Sequence, residues 1–369
     1  MTESTFPQQT VDLALEFQRD PGAFAPLPAF LVVKSQDQLV RRQRLIEAVK
    51  RGRIGRIEER PVAEGLLVQT TVRPGVRIDR RSAQRLLTFR EPRGLALACD
   101  GTMFVSEIDR VINISAEGTV LRQYQLPGFG FLHAIELSPD GLRLLVVSSG
   151  YDLLVELDLA TGEPVWDWLS WEHGLNPSHD GIYLARDHSR YQAFCDAGLP
   201  AQFVDFSDPG SHGLMTSVRT NHPNSACYVP GQEGAILVTL GHSGEVIEIN
   251  RPSGEWNRVI TGLAAMAHGI QPYRAGWMVT NTLRGQCWFL DRGFQLVRRL
   301  DFANLPGKPP ELGDSEWLQC VHPVGDEVFA GLDANRGVVL LDARRRVYEI
   351  VPVDENWCLH LIVPDRGRT

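Results

Sequence analysis

Four histidines, His133, His222, His268 and His360, stand at matching distances before a glycine that closes a short apolar run. His133 and His268 lie eight residues before Gly141 and Gly276, His222 nine before Gly231, and His360 seven before Gly367. A neutral imidazole ligates zinc, copper or iron through one ring nitrogen, and its lone pair also serves as a base or nucleophile. Each histidine taken alone could simply hydrogen-bond a loop carbonyl. Four of them brought together would suit a redox-active divalent metal, with iron(II) favoured and zinc or copper as alternatives. Glu136 and Glu316 are the carboxylates expected to hold the outer ring nitrogens, and Arg93 is the cation available for an anionic substrate. The remaining histidines are weaker candidates: His173, His179, His188 and His212 sit in one irregular stretch, His242 in a surface turn, and His322 toward the far end of a strand.

Such a meeting requires a fold that carries distant segments to one place. Residues 66–79, 103–115, 144–158, 236–250, 277–291 and 328–342 each read as an apolar strand, a polar turn and a second apolar strand, usually closed by Asp or Asn. A further short apolar run often follows, as in "PVWDWL" and "QLVRRLDF". Six four-stranded units of this kind predict an all-β chain folded as a six-bladed β-propeller. A seventh blade is the alternative. The innermost strands are expected to begin near Arg93, His133, His222, His268, Trp317 (with Gln319 beside it) and His360.

The segment from His360 onward is too short for a whole blade, while the first repeat has three strands (66–72, 76–80, 84–89) and no innermost one. Pairing the two ends would complete the ring and remove its exposed edges. The propeller is expected over residues 61–369. Residues 1–60 are expected to form an arm or small helical cap, with "VRRQRLIEAVKRGRIGR" (40–56) as an amphipathic helix. Residues 170–217 break the spacing and read as a lid-like insertion.

The formal charge of -8 and the absence of a basic stripe argue against nucleic acid, leaving a small molecule as the expected partner. No run of about 18 apolar residues predicts a membrane span. Six scattered cysteines without a CxxC pair, and a start without a secretory signal, fit a cytoplasmic chain. P-loop, dinucleotide-binding, GxSxG and HExxH patterns are all missing.

The repeats resemble the broad group of propellers that includes the NHL, senescence-marker-protein and arylsulfotransferase-like families. "NHPNSACYVPGQEGAILVTLGHSGEVIEINRPSGE" (221–255) is similar to an arylsulfotransferase repeat, and "VELDLATGEPVWDW" (155–168) to the outer strands of those families. The arylsulfotransferase resemblance implies a channel histidine, His222 or His268, as transient sulfuryl acceptor, with Arg93 binding the anion. In count and placement, the four histidines resemble the iron(II) centre of the carotenoid cleavage oxygenases, which are seven-bladed propellers. Three readings follow: a metal-dependent enzyme with oxidative or lyase chemistry, a metal-free group transferase, and a non-catalytic binding platform.

Overall fold

Residues 9–50, 62–207, 213–216 and 218–365 are described by the computed structural model. Gly367 and His212 lie outside them. Six antiparallel four-stranded sheets follow one another along the chain, and they form a six-bladed propeller. Blade 1 comprises Leu95–Leu97, Met103–Ser106, Val111–Ile114 and Val120–Tyr124. Blade 2 comprises Leu132–Leu137, Arg143–Ser148, Leu153–Asp158 and Pro164–Leu169. Blade 3 is Pro223–Tyr228, Ala235–Leu240, Glu245–Asn250 and Trp256–Ile260. Blade 4 is His268–Tyr273, Gly276–Asn281, Gln286–Leu290 and Leu296–Asp301. Blade 5 is Leu318–Gly325, Val328–Asp333, Gly337–Asp342 and Val347–Val351.

Blade 6 closes the ring. Its innermost strand, Cys358–Pro364, pairs with Leu27–Ser35, which continues into Glu64–Val72 and Arg85–Arg90. The sequence reading placed Leu27–Ser35 in the arm and a strand at 76–80; instead 27–35 is the second strand of the blade, and Ile78 makes only an isolated bridge to Val353. Leu27–Ser35 is apolar on both faces, so it lacks the alternation that marks a half-buried strand.

That two-sided burial is what holds the ring. Along Arg143–Ser148, Leu144 and Val146 pack toward blade 1, while Leu145 and Val147 pack toward blade 3. In blade 6, Leu31 and Val33 join blade 5, and Phe30 and Val32 join blade 1. Successive residues of a strand point to opposite faces, so each blade contributes to two cores. Six hydrophobic clusters result, one at every blade interface. Each fully buried Leu or Val in them contributes roughly 1.5–3 kcal/mol.

The chain before blade 6 is a strap. Gln9–Asp12 adds a parallel fifth strand to blade 4, and Gln18–Arg19 adds one to blade 5. Both cover strand edges that would otherwise invite pairing. Arg19 grips the buried Glu349 carboxylate through Nε and Nη2 at 2.9 and 2.7 Å. A helix spans Gln38–Lys50.

Between blades 2 and 3 the chain forms a single turn at Ser170–Glu172, a helix at His188–Asp196 and a two-stranded parallel sheet (Tyr183–Ala185 with Ala201–Phe203). This stretch packs onto the ring through Trp171 and Leu184, both fully buried in the cluster between blades 1 and 2. No helix among the described residues is long and apolar enough to cross a membrane.

A channel-mouth cluster as the candidate active site

Every innermost strand carries an irregularity at its first residues. In blade 2, Leu132 pairs with Ser148 and Ala134 with Val147, leaving His133 unmatched. The same slip leaves Asn224 unmatched in blade 3, Gln319 in blade 5 and His360 in blade 6. In blade 4 it falls between His268 and Gln271, and in blade 1 Ser106 bonds both Arg93 and Gly94. A bulge of this kind re-aims a side chain. The six fall at Arg93–Gly94, His133, Asn224, Gly269–Ile270, Gln319 and His360, at the start of each innermost strand.

Four of the six approaches share a further feature. Glu91, Phe131, His222 and Met266, two residues before Arg93, His133, Asn224 and His268, have φ of 46°, 44°, 51° and 62°. Left-handed backbone is costly for residues with a Cβ, so the repeated turn is a constructed part of the mouth.

This register corrects one expectation. Asn224, not His222, is the blade-3 counterpart of His133. His222 belongs to the approach turn, yet its ring still enters the cluster. Ring centroids lie 5.8 Å apart for His133 and His222, 5.1 Å for His133 and His268, 4.7 Å for His133 and His360, and 6.4 Å for His268 and His360. The four histidines therefore do meet, with His133 at the centre. Among the described residues, however, no group of three or more His, Cys, Asp or Glu is arranged to hold a metal ion.

The hydrogen bonds explain the arrangement. His133 Nδ1 lies 2.8 Å from the Asn224 carbonyl, which can only accept, so Nδ1 carries the proton and Nε2 a lone pair. His222 is the opposite. Arg219 Nη1 donates to its Nδ1 at 3.0 Å, which leaves the proton on Nε2. Burial lowers the Arg219 guanidinium only to about 10, so it remains a cation and a donor at neutral pH. His268 Nδ1 meets the Thr282 hydroxyl at 2.9 Å.

Asp152 positions this segment. Fully buried in a turn of blade 2, it accepts from Thr220 N–H and Oγ1 at 2.5 and 3.0 Å, Asn221 N–H at 3.4 Å and His222 N–H at 2.8 Å. Gly241 leaves the space needed here, since a Cβ on it would stand 2.7 Å from Asn224 Nδ2 and 2.8 Å from the His222 carbonyl. Asn224 Oδ1, on a side chain 1 % exposed, has no donor among the described residues.

All four rings are held well below the usual imidazole range, chiefly by burial, and His268 is lowered to about 4. The neighbouring rings and cations add to the effect: Arg219 on His222, Lys34 and Arg93 on His360. The cluster is thus neutral imidazole at pH 7. Arg93 Nη2 donates to Glu91 at 2.9 Å, and the Arg93 and Arg219 guanidiniums both lie over the Phe131 ring, 5.4 and 4.8 Å from its centroid. Three guanidiniums (Arg41, Arg93, Arg219) lie with two carboxylates (Glu91, Asp152) beside the neutral rings.

The two glutamates expected to support the histidines do other work. Glu316 is taken up by Arg336, at 2.8 Å, and by Lys308. Glu136 lies three residues beyond His133 against Cys227 and Tyr228, where burial raises its carboxyl to about 8. The ring nitrogens are held instead by a carbonyl, a hydroxyl and an arginine. His242, expected at the surface, stacks on His222 at 5.4 Å and 11°. Among the described insertion histidines, His173 stacks on Trp168 and His188 on Phe203. Sequence reasoning missed Asp152, Arg219 and Lys34. The only signal for Arg219 was its position three residues before His222.

No family model and no curated protein matches the chain. Among solved structures, the chain is similar to a protein of unknown function from Bacteroides caccae, at 13% identity and TM-score 0.57, covering 92% of this chain and 100% of that one. It is also similar to streptogramin B lyase, at 10% identity and TM-score 0.48, covering 79% and 80% of the two chains. At these identities the likeness concerns the fold alone.

Proposed function

We propose that the channel mouth is the active site of an enzyme that transfers an anionic group, such as a sulfuryl or phosphoryl group, from a small organic ester. The opposite tautomers of the adjacent His133 and His222 carry this reading. His133 offers an Nε2 lone pair, and His222 offers an Nε2–H donor. Arg93 and Arg219 supply the charge that would recognise the oxyanion.

In the transfer, the His133 Nε2 lone pair forms a bond to sulfur or phosphorus. The bond from that atom to the ester oxygen breaks, its electron pair leaves on the oxygen, and water supplies the proton. His222 Nε2–H hydrogen-bonds the oxygens of the group in flight. An acceptor hydroxyl then loses its proton to the hydroxide left by that water, its oxygen bonds to the sulfur or phosphorus, and the bond to Nε2 breaks with its electron pair returning to the His133 imidazole. The acceptor role implied for His222 by family resemblance moves to His133, because Arg219 occupies the only lone pair of His222.

The expected iron(II), zinc or copper centre is the second reading. The His133 N–H on a backbone carbonyl favours it, since metal-ligating histidines are commonly anchored in this way. The Arg219–His222 bond and the surplus of cations weigh against it. Elemental analysis of the purified protein separates the two.

The test uses para-nitrophenyl sulfate, quenched under alkaline conditions and mapped by mass spectrometry. A labile sulfate on the His133 peptide is expected, with nitrophenol release falling by on the order of a hundredfold or more in His133→Ala. Equal release by wild type and His133→Ala, with no histidine adduct, would overturn the reading.

A further inference from the structure

Phe131 is an aromatic residue in a backbone conformation that suits glycine. It lies in "GFGFLHA" (128–134), two residues before His133. Its φ of 44° is strained for any residue with a Cβ. The flanking backbone keeps it there. Gly130 N–H donates to Ser148 Oγ at 2.9 Å, Gly150 N–H to the Gly130 carbonyl at 2.8 Å, and Leu132 N–H to the Ile108 carbonyl at 3.1 Å. Core packing does not explain the side chain. Phe129 is 4 % exposed inside the cluster between blades 1 and 2, whereas Phe131 is only partly buried and belongs to none of the six clusters.

What the Phe131 ring touches is charge. The Arg93 and Arg219 guanidinium carbons lie 5.4 and 4.8 Å from its centroid. The ring quadrupole attracts a cation over its face, more strongly where water is excluded, and both arginines are 3 % exposed. Their other partners differ. Arg93 is answered by the Glu91 carboxylate at 2.9 Å. Arg219 donates from Nε to the Leu214 carbonyl at 2.9 Å and from Nη1 to His222 Nδ1 at 3.0 Å, both neutral acceptors, and forms no ion pair among the described residues. Asp152, whose charge it feels, is engaged by four donors on residues 220–222. A buried guanidinium with neutral partners is suited to receive an anion.

We propose that Phe131 is a positioning residue of the oxyanion site, its ring fixing the Arg93 and Arg219 guanidiniums relative to each other. Two like charges repel, and a shared ring face offsets that repulsion. Arg219 held in this way keeps Nη1 on His222 Nδ1, which in turn keeps the His222 proton on Nε2. Without the ring, Arg219 is free to turn toward Asp152, and His222 loses its fixed tautomer. Phe131 itself touches no reacting atom. The anion-binding consequence rests on the group-transfer reading of the mouth; the placement of the guanidiniums does not.

The test is calorimetric titration of the full chain with inorganic sulfate at constant ionic strength, for wild type, Phe131→Leu and Phe131→Tyr. Leucine keeps the Cβ and an apolar side chain but loses the ring face, which tyrosine retains. Sulfate affinity should fall roughly tenfold in Phe131→Leu and stay within about twofold of wild type in Phe131→Tyr. Nitrogen-15 NMR should show the His222 tautomers averaging in Phe131→Leu alone. A further reading needs no variant: in wild type, the Arg219 Nε proton should be shifted upfield by the ring current of Phe131. Sulfate affinity equal in wild type and Phe131→Leu, an equal loss in both variants, no sulfate binding by wild type, or no ring-current shift would each overturn the proposal. Sulfate binding that depends on Phe131, in a protein forming no histidine adduct, would leave this role standing and count against group transfer. An adduct formed equally by wild type and Phe131→Leu, at equal sulfate affinity, would do the reverse.

Discussion

Asp152→Ala should destabilise the protein by about 3–5 kcal/mol, the range for a buried charge stripped of its partner. The carboxylate is fully buried and accepts from four donors on residues 220–222. It also faces Arg219, whose guanidinium is 3 % exposed and which it helps to keep charged. Its removal leaves those donors unsatisfied and Arg219 without compensation. The left-handed turn at His222 loses its anchor in the same step. Asp152→Asn should cost less, because one oxygen still accepts. Urea unfolding of the two variants measures both effects; a loss under about 1 kcal/mol for Asp152→Ala would be no more than one net hydrogen bond and would show that Asp152 does not hold the turn.

The second large effect is a loss of stability on the acid side of neutral pH. His268 is lowered from 6.5 to about 4 in the folded protein. The unfolded chain therefore binds more protons between those values, and stability falls as the pH drops through them. At about 1.4 kcal/mol per unit, His268 alone accounts for roughly 3 kcal/mol. His133, His222 and His360 shift in the same direction, chiefly through burial. Glu136 has the opposite sign. Raised from 4.5 to about 8, it keeps its proton when folded, so stability falls as the pH rises between those values. Below about 6.5 the histidines outnumber it; above that Glu136 lowers stability as the pH rises, while the Lys34 amine, held below its ordinary range by burial, acts in the opposite direction. Denaturation at several pH values should show His268→Gln flattening the acid limb, and Glu136→Gln making the change of stability with pH more positive between about 4.5 and 8. An unchanged pH dependence in both variants would contradict the assignment.

The ring and its closure were legible because the strand–turn–strand unit recurs and because two chain ends each lacked what the other had. Leu27–Ser35 was harder to read, since a strand buried on both faces shows no period and its partner lies beyond the helix Gln38–Lys50. At the mouth, alignment on the closing glycines found His133, His268 and His360 correctly. It misplaced His222, because a bulge adds a residue without leaving a mark in composition. Asp152 and Arg219 act through hydrogen bonds to residues far along the chain or in an irregular segment, and no spacing rule reaches them. Lys34 became visible only when blade closure set it beside His360.

The opposite tautomers of His133 and His222 carry the group-transfer chemistry. Nitrogen-15 NMR of the imidazoles, followed from pH 8 to pH 5 with and without sulfate, reads them directly. The prediction is a proton on Nδ1 of His133 and on Nε2 of His222, both rings neutral across the range, and a saturable shift of the two together as sulfate binds. Rings that average between tautomers and titrate near 6.5, with no response to sulfate, would contradict it.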